Sequence, residues 1–434
     1  MSTRTIDSLC SINPETLAAT TAEFRYLDIS SVTKGRIDWS TTQLWKYESA
    51  PSRARRRLRF GDVLLCTVRP GLQAHARICE QVDFPLVGST GFAVLRPDLG
   101  ADSAFIFHQI FSDSVAAQLR ALETGSNYPA VNERDVRNVT IFCPEKEERW
   151  SIAAALDKID EAIARAEAVI VKLRQVRAGL LHDLLTRGLD ANGQLRNPVK
   201  HPEQFQDTML GRIPREWAAL PLGRLLCRID QGWSPDCDSA TTSAGEWGVL
   251  KTTAVMWEGY NDAENKRLPA SLDPLPAYEV KDGDVLMTRC GPGARVGVVA
   301  LVNNTQGQLM LSDKLYRLVP RDSINPAFLV LILSSHSVQL RLAAVKTGMA
   351  ESQTNISYDI VHKLDVALPE PKEQDRVVAS MEIPTRQLKA EVQELAKLQV
   401  LKSGLMTDLL TGRVRVPEAR ETVAADYTSV AVRN

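Results

Sequence analysis

The two halves of the 434-residue sequence resemble each other. The segment GDVLLCTVRPG at 61–71 returns 222 residues later as GDVLMTRCGPG at 283–293. Residues 124–125 match 347–348, and KLRQVRAGLLHDLLT near the end of the first half matches KLQVLKSGLMTDLLT near the end of the second. In each half, short apolar runs with turn residues precede a long periodic stretch. The chain is therefore predicted to contain one domain followed by one long helix, twice.

The mixed region of each half has the pattern of β-strands. Gly61-Asp62 and Gly283-Asp284 place turn residues directly before VLLCTV and VLMTRC, and Gly-rich segments follow both runs. The sequence thus predicts an α+β fold with two mixed α/β domains.

The periodic stretches have the spacing of a coiled-coil seam, with apolar residues at alternating steps of four and three. In the first half the seam residues are Ile152, Leu156, Ile159, Ile163, Ala166, Ile170 and Leu173, followed by Leu180. At an offset of 225 residues the second half repeats the stripe with Leu388, Leu395, Leu398 and Leu405, and it matches Val176 with Leu401. Pro384 stands where the first half has Ile159, so the second helix is predicted to kink there or to restart near Thr385.

The repeat also constrains the geometry. Symmetry about one axis makes the two helices antiparallel, and about forty helical residues at roughly 1.5 Å each hold two domains at most about 60 Å apart. Two similar domains related by a pseudo-two-fold axis can meet two stretches of a DNA duplex on one face. The same symmetry offers two near-identical surfaces, so two copies of a partner protein are expected.

Composition limits the alternatives. The chain is 44% hydrophobic and 24% charged, as in ordinary globular proteins with several domains. No apolar run reaches the roughly 20 residues that span a bilayer, and MSTRTIDSLC lacks the layout of an export signal, so a cytoplasmic protein without a membrane partner is predicted. The seven cysteines and six histidines lack the spacings of a disulfide frame or a zinc site, so no metal or cofactor is predicted. With a net charge of −1, any DNA-binding face must be local.

Three segments resemble those of the specificity (S) subunits of type I restriction-modification systems. They are LGRIPREWAALPLGRLL at 210–226, LPEPKEQDRV at 368–377 and KLQVLKSGLMTDLLTGRVRV at 397–416. The resemblance covers nearly the whole chain and implies two target recognition domains, each of which reads half of a bipartite site in double-stranded DNA. It also implies that the helical regions dock two methyltransferase subunits and, through them, the ATP-dependent restriction subunits. Catalysis would then belong to those partners, and this chain would not be an enzyme.

The sequence departs from the pattern of the resemblance in two places. The first half has Glu148-Arg149 where the second has Glu373-Gln374, and the N-terminus lacks an equivalent of GRIPREW. The expected fold is two mixed α/β target recognition domains separated by two long antiparallel coiled-coil helices. The expected boundaries are 1–143 for the first recognition domain, 144–188 for the first helix, 189–209 for a linker, 210–368 for the second recognition domain, 369–412 for the second helix, and 413–434 for a disordered tail.

Basic and polar residues beside the repeated strands are candidates for DNA contacts. The main candidate is SRARRRLRF, because arginine forks suit phosphates and guanine edges. Basic residues near the strands and turns are possible phosphate anchors, and two equivalent segments, TGSNYPAVN and TGMAESQTN, carry side chains that can hydrogen-bond base edges. The candidates are Arg53, Arg55, Arg56, Arg57, Arg59, Arg69, Lys34, Ser126, Asn127, Tyr128, Lys251, Arg289, Arg295, Lys346 and Gln353.

Two other functions stay open at this stage. A stand-alone DNA-modifying enzyme would need a site such as Mg²⁺-binding carboxylates, which could be drawn from Asp273 and Glu279 with Lys281. A coiled-coil scaffold without a DNA role would explain the helices but not the two diverged domains. An ordinary solvated surface accounts for many of the candidate arginines and lysines as well.

Overall fold

The computed structural model describes residues 3–125, 127–347 and 354–416. The chain forms two compact units, Met1–Ala166 with Glu394–Asn434, and Glu167–Gln393. The first long helix (Lys146–Arg187) begins in the first unit and ends in the second, and the second long helix (Pro371–Leu409) does the reverse.

The first unit is a mixed α/β domain. Its short helices are Ser103–Gln109, Asp113–Leu122 and Glu133–Asn138. Its strands are β1 Thr3–Thr5, β2 Cys10–Ile12, β3 Phe24–Leu27, β4 Val32–Thr33, β5 Arg36–Ile37, β6 Gln43–Trp45, β7 Ala54–Leu58, β8 Val63–Cys66, β9 Ala76–Arg77, β10 Leu86–Ser89, β11 Phe92–Pro97 and β12 Thr140–Phe142.

The second unit is also mixed α/β. Its short helices are Pro326–Leu333, His336–Val345 and Tyr358–His362. Its strands are β13 Phe205–Thr208, β14 Gly211–Pro214, β15 Ala218–Pro221, β16 Leu226–Gln231, β17 Gly248–Leu250, β18 Val255–Met256, β19 Gly259–Tyr260, β20 Asn265–Arg267, β21 Val285–Thr288, β22 Cys290–Gly291, β23 Val299–Leu301, β24 Leu309–Met310, β25 Leu315–Pro320, β26 Thr354–Asn355 and β27 Asp365–Leu368.

The repeated GDVL motif opens the same strand in both units. β8 lies in a four-stranded sheet of order β2-β11-β8-β9, and β21 lies in one of order β16-β25-β21-β23. Val63 pairs with Leu95, and Val285 pairs with Leu318, so the registers correspond as well. The internal repeat of the sequence is thus a repeat of strand order.

Both faces of these central strands are buried, which explains their continuous apolar sequences. In β8, Val63 and Leu65 pack into the core that contains the helices, whereas Leu64 and Cys66 pack into a second apolar cluster on the other face. β21 divides its side chains in the same way. The alternation follows from the two-residue period of a strand.

The second sheets of the two units differ by one strand. The first unit has the order β6-β3-β10-β7, and the second has β20-β17-β24, with a parallel pair, β3 with β10 and β17 with β24, in each. Among the described residues of the second unit, no strand stands in the place of β7, and a single bridge from Glu279 to Met310 lies there instead. The arginine-rich strand is therefore an addition to the first unit.

Inside each unit the two long helices run in opposite directions. In the first unit Glu148 contacts Arg415, and further along the first long helix Asp160 pairs with Lys402 at 2.6 Å. In the second unit the Arg177 Nε donates to the Thr385 hydroxyl at 3.2 Å. Asp160 with Lys402 and Thr385 with Arg177 are the same pair of positions in the repeat, so each unit contains an equivalent cross-helix contact.

The predicted seam residues have several environments. Ile152 and Leu156 are fully buried in the core of the first unit, and Leu180 packs against the core of the second. Ile159, Ile163, Ile170 and Leu388 are buried, and Leu173, Leu395, Leu398 and Leu405 are half-buried. Val176 and Leu401, which belong to the stripe in the sequence, are 53% and 52% exposed. Some residues of the stripe therefore lie in the cores of the two units, and others lie on the exposed surface of the helices.

Of the two outcomes predicted at Pro384, a restart near Thr385 is wrong. One helix runs from Pro371 to Leu409 with the proline inside it. The missing N–H removes one helical hydrogen bond, but Met381 before it and Leu388 after it are both buried. Packing on both sides of the proline holds the helix together.

A buried glutamate near the start of each long helix holds the segment that follows the other helix. The Glu148 carboxylate accepts hydrogen bonds from the Arg415 guanidinium at 2.6 Å and from the Val416 N–H at 3.2 Å. The Glu373 carboxylate accepts hydrogen bonds from Arg196 at 2.6 Å, from the Leu189 N–H at 2.7 Å and from the Trp217 indole at 3.1 Å. Residues 413–416 of the predicted tail are thus described, and 417–434 lie outside the described residues.

The residue after each glutamate explains one departure noted in the sequence. Arg149 makes two hydrogen bonds to Asp102, at 3.1 and 2.7 Å, just before the helix Ser103–Gln109. Gln374 accepts from the Asn325 N–H at 2.8 Å, just before the helix Pro326–Leu333. The starts of equivalent helices are thus held by an ion pair in the first unit and by an amide hydrogen bond in the second.

Replacing Gly404 with alanine is expected to raise the free energy of unfolding by roughly 0.5–1 kcal/mol, because alanine loses less backbone entropy in a helix. Nothing lies within 4 Å of a Cβ built at Gly404. Denaturant unfolding measures the change. Gly412→Ala is the matched control and should destabilise the chain, because Gly412 has φ +72° and its Cβ would lie 2.5 Å from Phe142. Equal effects of the two variants would contradict the prediction.

Within the described residues, no single helix is both long enough and apolar enough to cross a bilayer. One pair of helices, Pro326–Leu333 and His336–Val345, reaches that length and apolar character when the two are taken together, but they are bent by 63°.

Candidate nucleic-acid interface

The arginine run forms β7 and its two ends. β7 pairs antiparallel with β10, so that Arg57 lies opposite Val87 and Arg56 opposite Gly88. Arg53, Arg57 and Arg59 are exposed, and Arg55 and Arg56 are half-buried. The run is therefore a basic strand paired at one end of its sheet.

Carboxylates neutralise part of this strand. Glu15 contacts Arg59, lies 3.8 Å from Arg57 and pairs with Arg96 at 2.6 Å. Burial alone would raise the pKa of the Glu15 carboxyl, but the hydrogen bond from Arg96 and the nearby guanidinium charges hold that pKa below its ordinary value. Glu133 lies 3.8 Å from Arg56. The net charge of the strand stays positive, but three of its five arginines have acidic neighbours.

Arg53 and Arg55 have no carboxylate partner among the described residues. The Arg55 guanidinium lies 5.7 Å from the centre of the Tyr47 ring and donates to the backbone carbonyl of Ala54 at 3.3 Å. Guanidinium groups without an acidic partner are suited to bind phosphate oxygens. These two arginines are the best phosphate ligands that the strand offers.

A second basic feature lies at the exit of β8. Arg69 has a left-handed backbone, and its guanidinium stacks on the Tyr128 ring at 4.6 Å and donates to the Asn127 carbonyl at 3.2 Å. Thr124 and Ala130 close the hairpin with two backbone hydrogen bonds of 3.0 Å. Tyr128 is 71% exposed, so a cation and an aromatic face are presented together on an anchored loop. Such a pair can contact base edges in a groove and attract phosphates.

Two further candidates of the first unit are Lys34 and Ser126. Lys34 is exposed at the tip of the β4–β5 hairpin, where its φ of +43° and the +91° of Gly35 make a tight turn. Ser126 lies outside the described residues.

The candidate cations of the second unit have partners inside the fold. Arg295 donates to the carbonyls of Thr252 and Val255 at 3.1 and 3.2 Å, and Arg289 donates to the carbonyl of Asp313 at 3.1 Å. Lys346 donates to the Gly293 carbonyl at 3.1 Å, and burial lowers the pKa of its ammonium group. Lys251 lies 3.8 Å from Glu264. These side chains fasten loops of the second unit, and Gln353 lies outside the described residues.

The loops of the two units are equivalent although their sequences differ. Val68 bridges to Ala130 in the first unit, and Cys290 pairs with Asn355 in the second. Thr347 bridges to Asn355 as Thr124 does to Ala130. One scaffold therefore carries two unlike loop sets.

Sequence reasoning missed the carboxylates that face the arginine strand. Glu15 and Glu133 are far from β7 along the chain, and no local pattern marks them.

Among the described residues, no group of three or more His, Cys, Asp or Glu side chains could hold a metal ion.

Comparison with known proteins finds relatives of the chain, although no protein-family model matches it. Over 222 residues, 50% of this chain, it is 39% identical to the type I restriction enzyme EcoEI specificity subunit of Escherichia coli. Over 308 residues, 69% of this chain and 67% of the other, it is 22% identical to the type I restriction enzyme MjaVIII specificity subunit of Methanocaldococcus jannaschii. The chain is similar to the specificity subunits of type I restriction enzymes.

The fold of this chain agrees with that of a solved structure. The crystal structure of the type I restriction-modification system S subunit from M. genitalium superposes with a TM-score of 0.56 at 15% identity, over 94% of this chain and 96% of that one. The likeness concerns the fold. The alignment with the Escherichia coli relative spans 37% of that protein's length.

Proposed function

We propose that this chain is the specificity subunit of a type I restriction-modification complex and reads DNA for it, with one unit for each half of a bipartite site. The observation that carries the proposal is the common sheet order, β2-β11-β8-β9 and β16-β25-β21-β23, on which the two units carry unlike loops. Repeated DNA-binding modules meet separate stretches of a duplex, and loops of different sequence suit half-sites of different sequence.

We further propose that residues 1–143 and 210–368 are the two target recognition domains. The segments 144–188 and 369–412 would form an antiparallel coiled coil that fixes their spacing, with 189–209 as the linker. Supporting contacts are Asp160 with Lys402 inside the first unit and Arg177 with Thr385 inside the second. Each ties one helix to the other at equivalent positions of the repeat.

The proposed partners are two methyltransferase subunits and, through them, ATP-dependent restriction subunits, in the cytoplasm where the DNA lies. Val176 and Leu401 support this, because they occupy equivalent positions on the two helices and both are about half exposed. Exposed apolar residues repeated by symmetry suit two copies of one partner. We assign methylation and cleavage to those partners, and no cofactor to this chain.

Replacing Tyr128 with alanine is expected to weaken binding to the cognate duplex by roughly 5-fold or more, because it removes an exposed ring that can contact base edges in a groove, and such a contact contributes about 1–3 kcal/mol. The salt dependence should not change, because the tyrosine carries no charge. Titrations of the complex at several salt concentrations test both points. Tyr128→Phe is the control and should keep most of the affinity, and a loss as large as that of the alanine variant would contradict a contact made by the ring.

An exchange of residues 1–143 tests the proposed function. The region is replaced by the corresponding region of a relative, and both chains are expressed with the methyltransferase for mapping of methylated bases in the host genome. We expect one half of the recognised site to change while the other half and the gap stay the same. Changes in both halves, or in neither, would contradict one domain per half-site.

Two further outcomes distinguish the alternatives. Methylation or cleavage of DNA by the purified chain alone would favour a stand-alone enzyme. A complex that forms with the methyltransferase but binds its own site and a scrambled duplex equally well would favour a scaffold without DNA reading.

A further inference from the structure

The correspondence of the sheets allows the two units to be compared position by position. In the first unit Arg57 lies opposite Val87 of β10. In the second, Glu279 bridges to Met310 of β24, the strand equivalent to β10. A positive side chain of the first unit therefore stands where the second unit has a negative one.

The surroundings of this position strengthen the difference. Arg53 and Arg55 lie beside Arg57 and have no carboxylate partner among the described residues. In the second unit Glu279 is part of the fold, because its Oε1 accepts a hydrogen bond from the Gln308 N–H at 3.0 Å. Lys281 corresponds to Arg59 in the repeat. The backbone N–H of Arg59 donates to the Asp62 carboxylate, and that of Lys281 donates to the Asp284 carboxylate. One lysine and one glutamate thus replace a run of arginines.

Two other exposed cations of the first unit lack a basic counterpart. Lys34, at the tip of the β4–β5 hairpin, corresponds to Trp257 at the tip of the β18–β19 hairpin. Arg69, stacked on Tyr128, corresponds in the repeat to Gly291 in β22. The difference is therefore found at three separate places on one scaffold.

We infer that the first unit supplies most of the contacts to DNA phosphates, so that the two half-sites are held unequally. The inference rests on the proposed function and adds an asymmetry that the repeat itself does not require. Binding to phosphates releases counterions, so each such contact steepens the fall of affinity with salt. The second unit would hold its half-site with fewer charges and rely more on contacts to the bases.

Two variants with the same change of net charge test the inference. Arg53→Ala/Arg55→Ala removes two cations from the first unit, and Lys266→Ala/Lys281→Ala removes two exposed cations from the second. Each full chain is assembled with its methyltransferase, and the affinity for a duplex carrying the mapped site is measured between 50 and 200 mM salt. Thermal unfolding of both variants checks that they fold.

We expect the slope of log affinity against log salt to fall by about 1.8 in the first-unit variant, which is about 0.9 for each lost contact. In the second-unit variant it should fall by less than about half as much. An equal or larger fall in the second-unit variant, or no change in the first-unit variant, would overturn the inference and leave DNA reading in place. A wild-type complex that binds a scrambled duplex as well as its own site would instead overturn the proposed function.

Discussion

Replacing Glu373 with alanine is expected to lower the free energy of unfolding of the second unit by about 3 kcal/mol, in the range of broken buried ion pairs. The Glu373 side chain is 2% exposed and the Arg196 side chain 8%. The substitution would leave the Arg196 guanidinium, the Leu189 N–H and the Trp217 indole without their shared acceptor. Arg196 keeps Glu216 at 3.0 Å, which limits the loss.

Denaturant unfolding measures this effect, and hydrogen exchange at the Leu189 amide locates it. Glu216→Ala is the matched control, because it removes the other, 79% exposed partner of Arg196 and should cost less than about 1 kcal/mol. Glu148→Ala in the first unit should have a smaller effect than Glu373→Ala, because its partner Arg415 is 65% exposed and can turn to water. If Glu373→Ala unfolded like the wild type, the glutamate would not be the anchor of that segment.

The repeat and the two long helices could be predicted because both depend on patterns visible in the sequence itself. A seam of apolar residues at steps of four and three depends only on the period of a helix, and the predicted first helix at 144–188 corresponds to an observed span of Lys146–Arg187. The strands after Gly61-Asp62 and Gly283-Asp284 follow from turn residues and apolar runs in the same way. The family resemblance is supported by the relatives at 39% and 22% identity.

The partners of the charged side chains could not be predicted, because they join residues far apart in the sequence. Glu15, between β2 and β3, contacts Arg57 and Arg59, and Arg149 of the first long helix pairs with Asp102. The internal partners of Arg295 and Lys346 depend on loop conformations in the same way. A basic residue near a strand end therefore indicates a possible phosphate ligand, but the fold decides whether its charge is already used.

The seam illustrates the same point for apolar residues. Ile152 and Leu156 fit the heptad pattern, yet they pack into the core of the first unit. Val176 and Leu401 also fit it, yet both are about half exposed. A period fixes which face of a helix is apolar, but what covers that face depends on the tertiary structure.

Replacing all five arginines of the strand with alanine is expected to weaken DNA binding by the complex at least 10-fold and to reduce its salt slope by about 2–3. Five equal phosphate contacts would give a reduction of about 4.5. The smaller value follows from the acidic neighbours, because Arg57 and Arg59 share Glu15 and Arg56 faces Glu133. Affinities measured over a range of salt concentrations decide between the two values, and an unchanged slope would remove the strand from the DNA interface.

Glu15→Gln provides the opposite charge change at the same place. The wild-type carboxylate neutralises part of the guanidinium charge of Arg57, Arg59 and Arg96. The amide removes one negative charge and leaves Arg57 and Arg59 available to phosphates, so we expect tighter DNA binding and a steeper salt dependence by up to about 0.9 for each arginine released. Thermal unfolding serves as the control, because Arg96 keeps two hydrogen bonds to Asp62 at 2.8 Å and should hold the local fold. A shallower slope in a folded Glu15→Gln variant would show that Glu15 positions the arginines for DNA rather than competing with it.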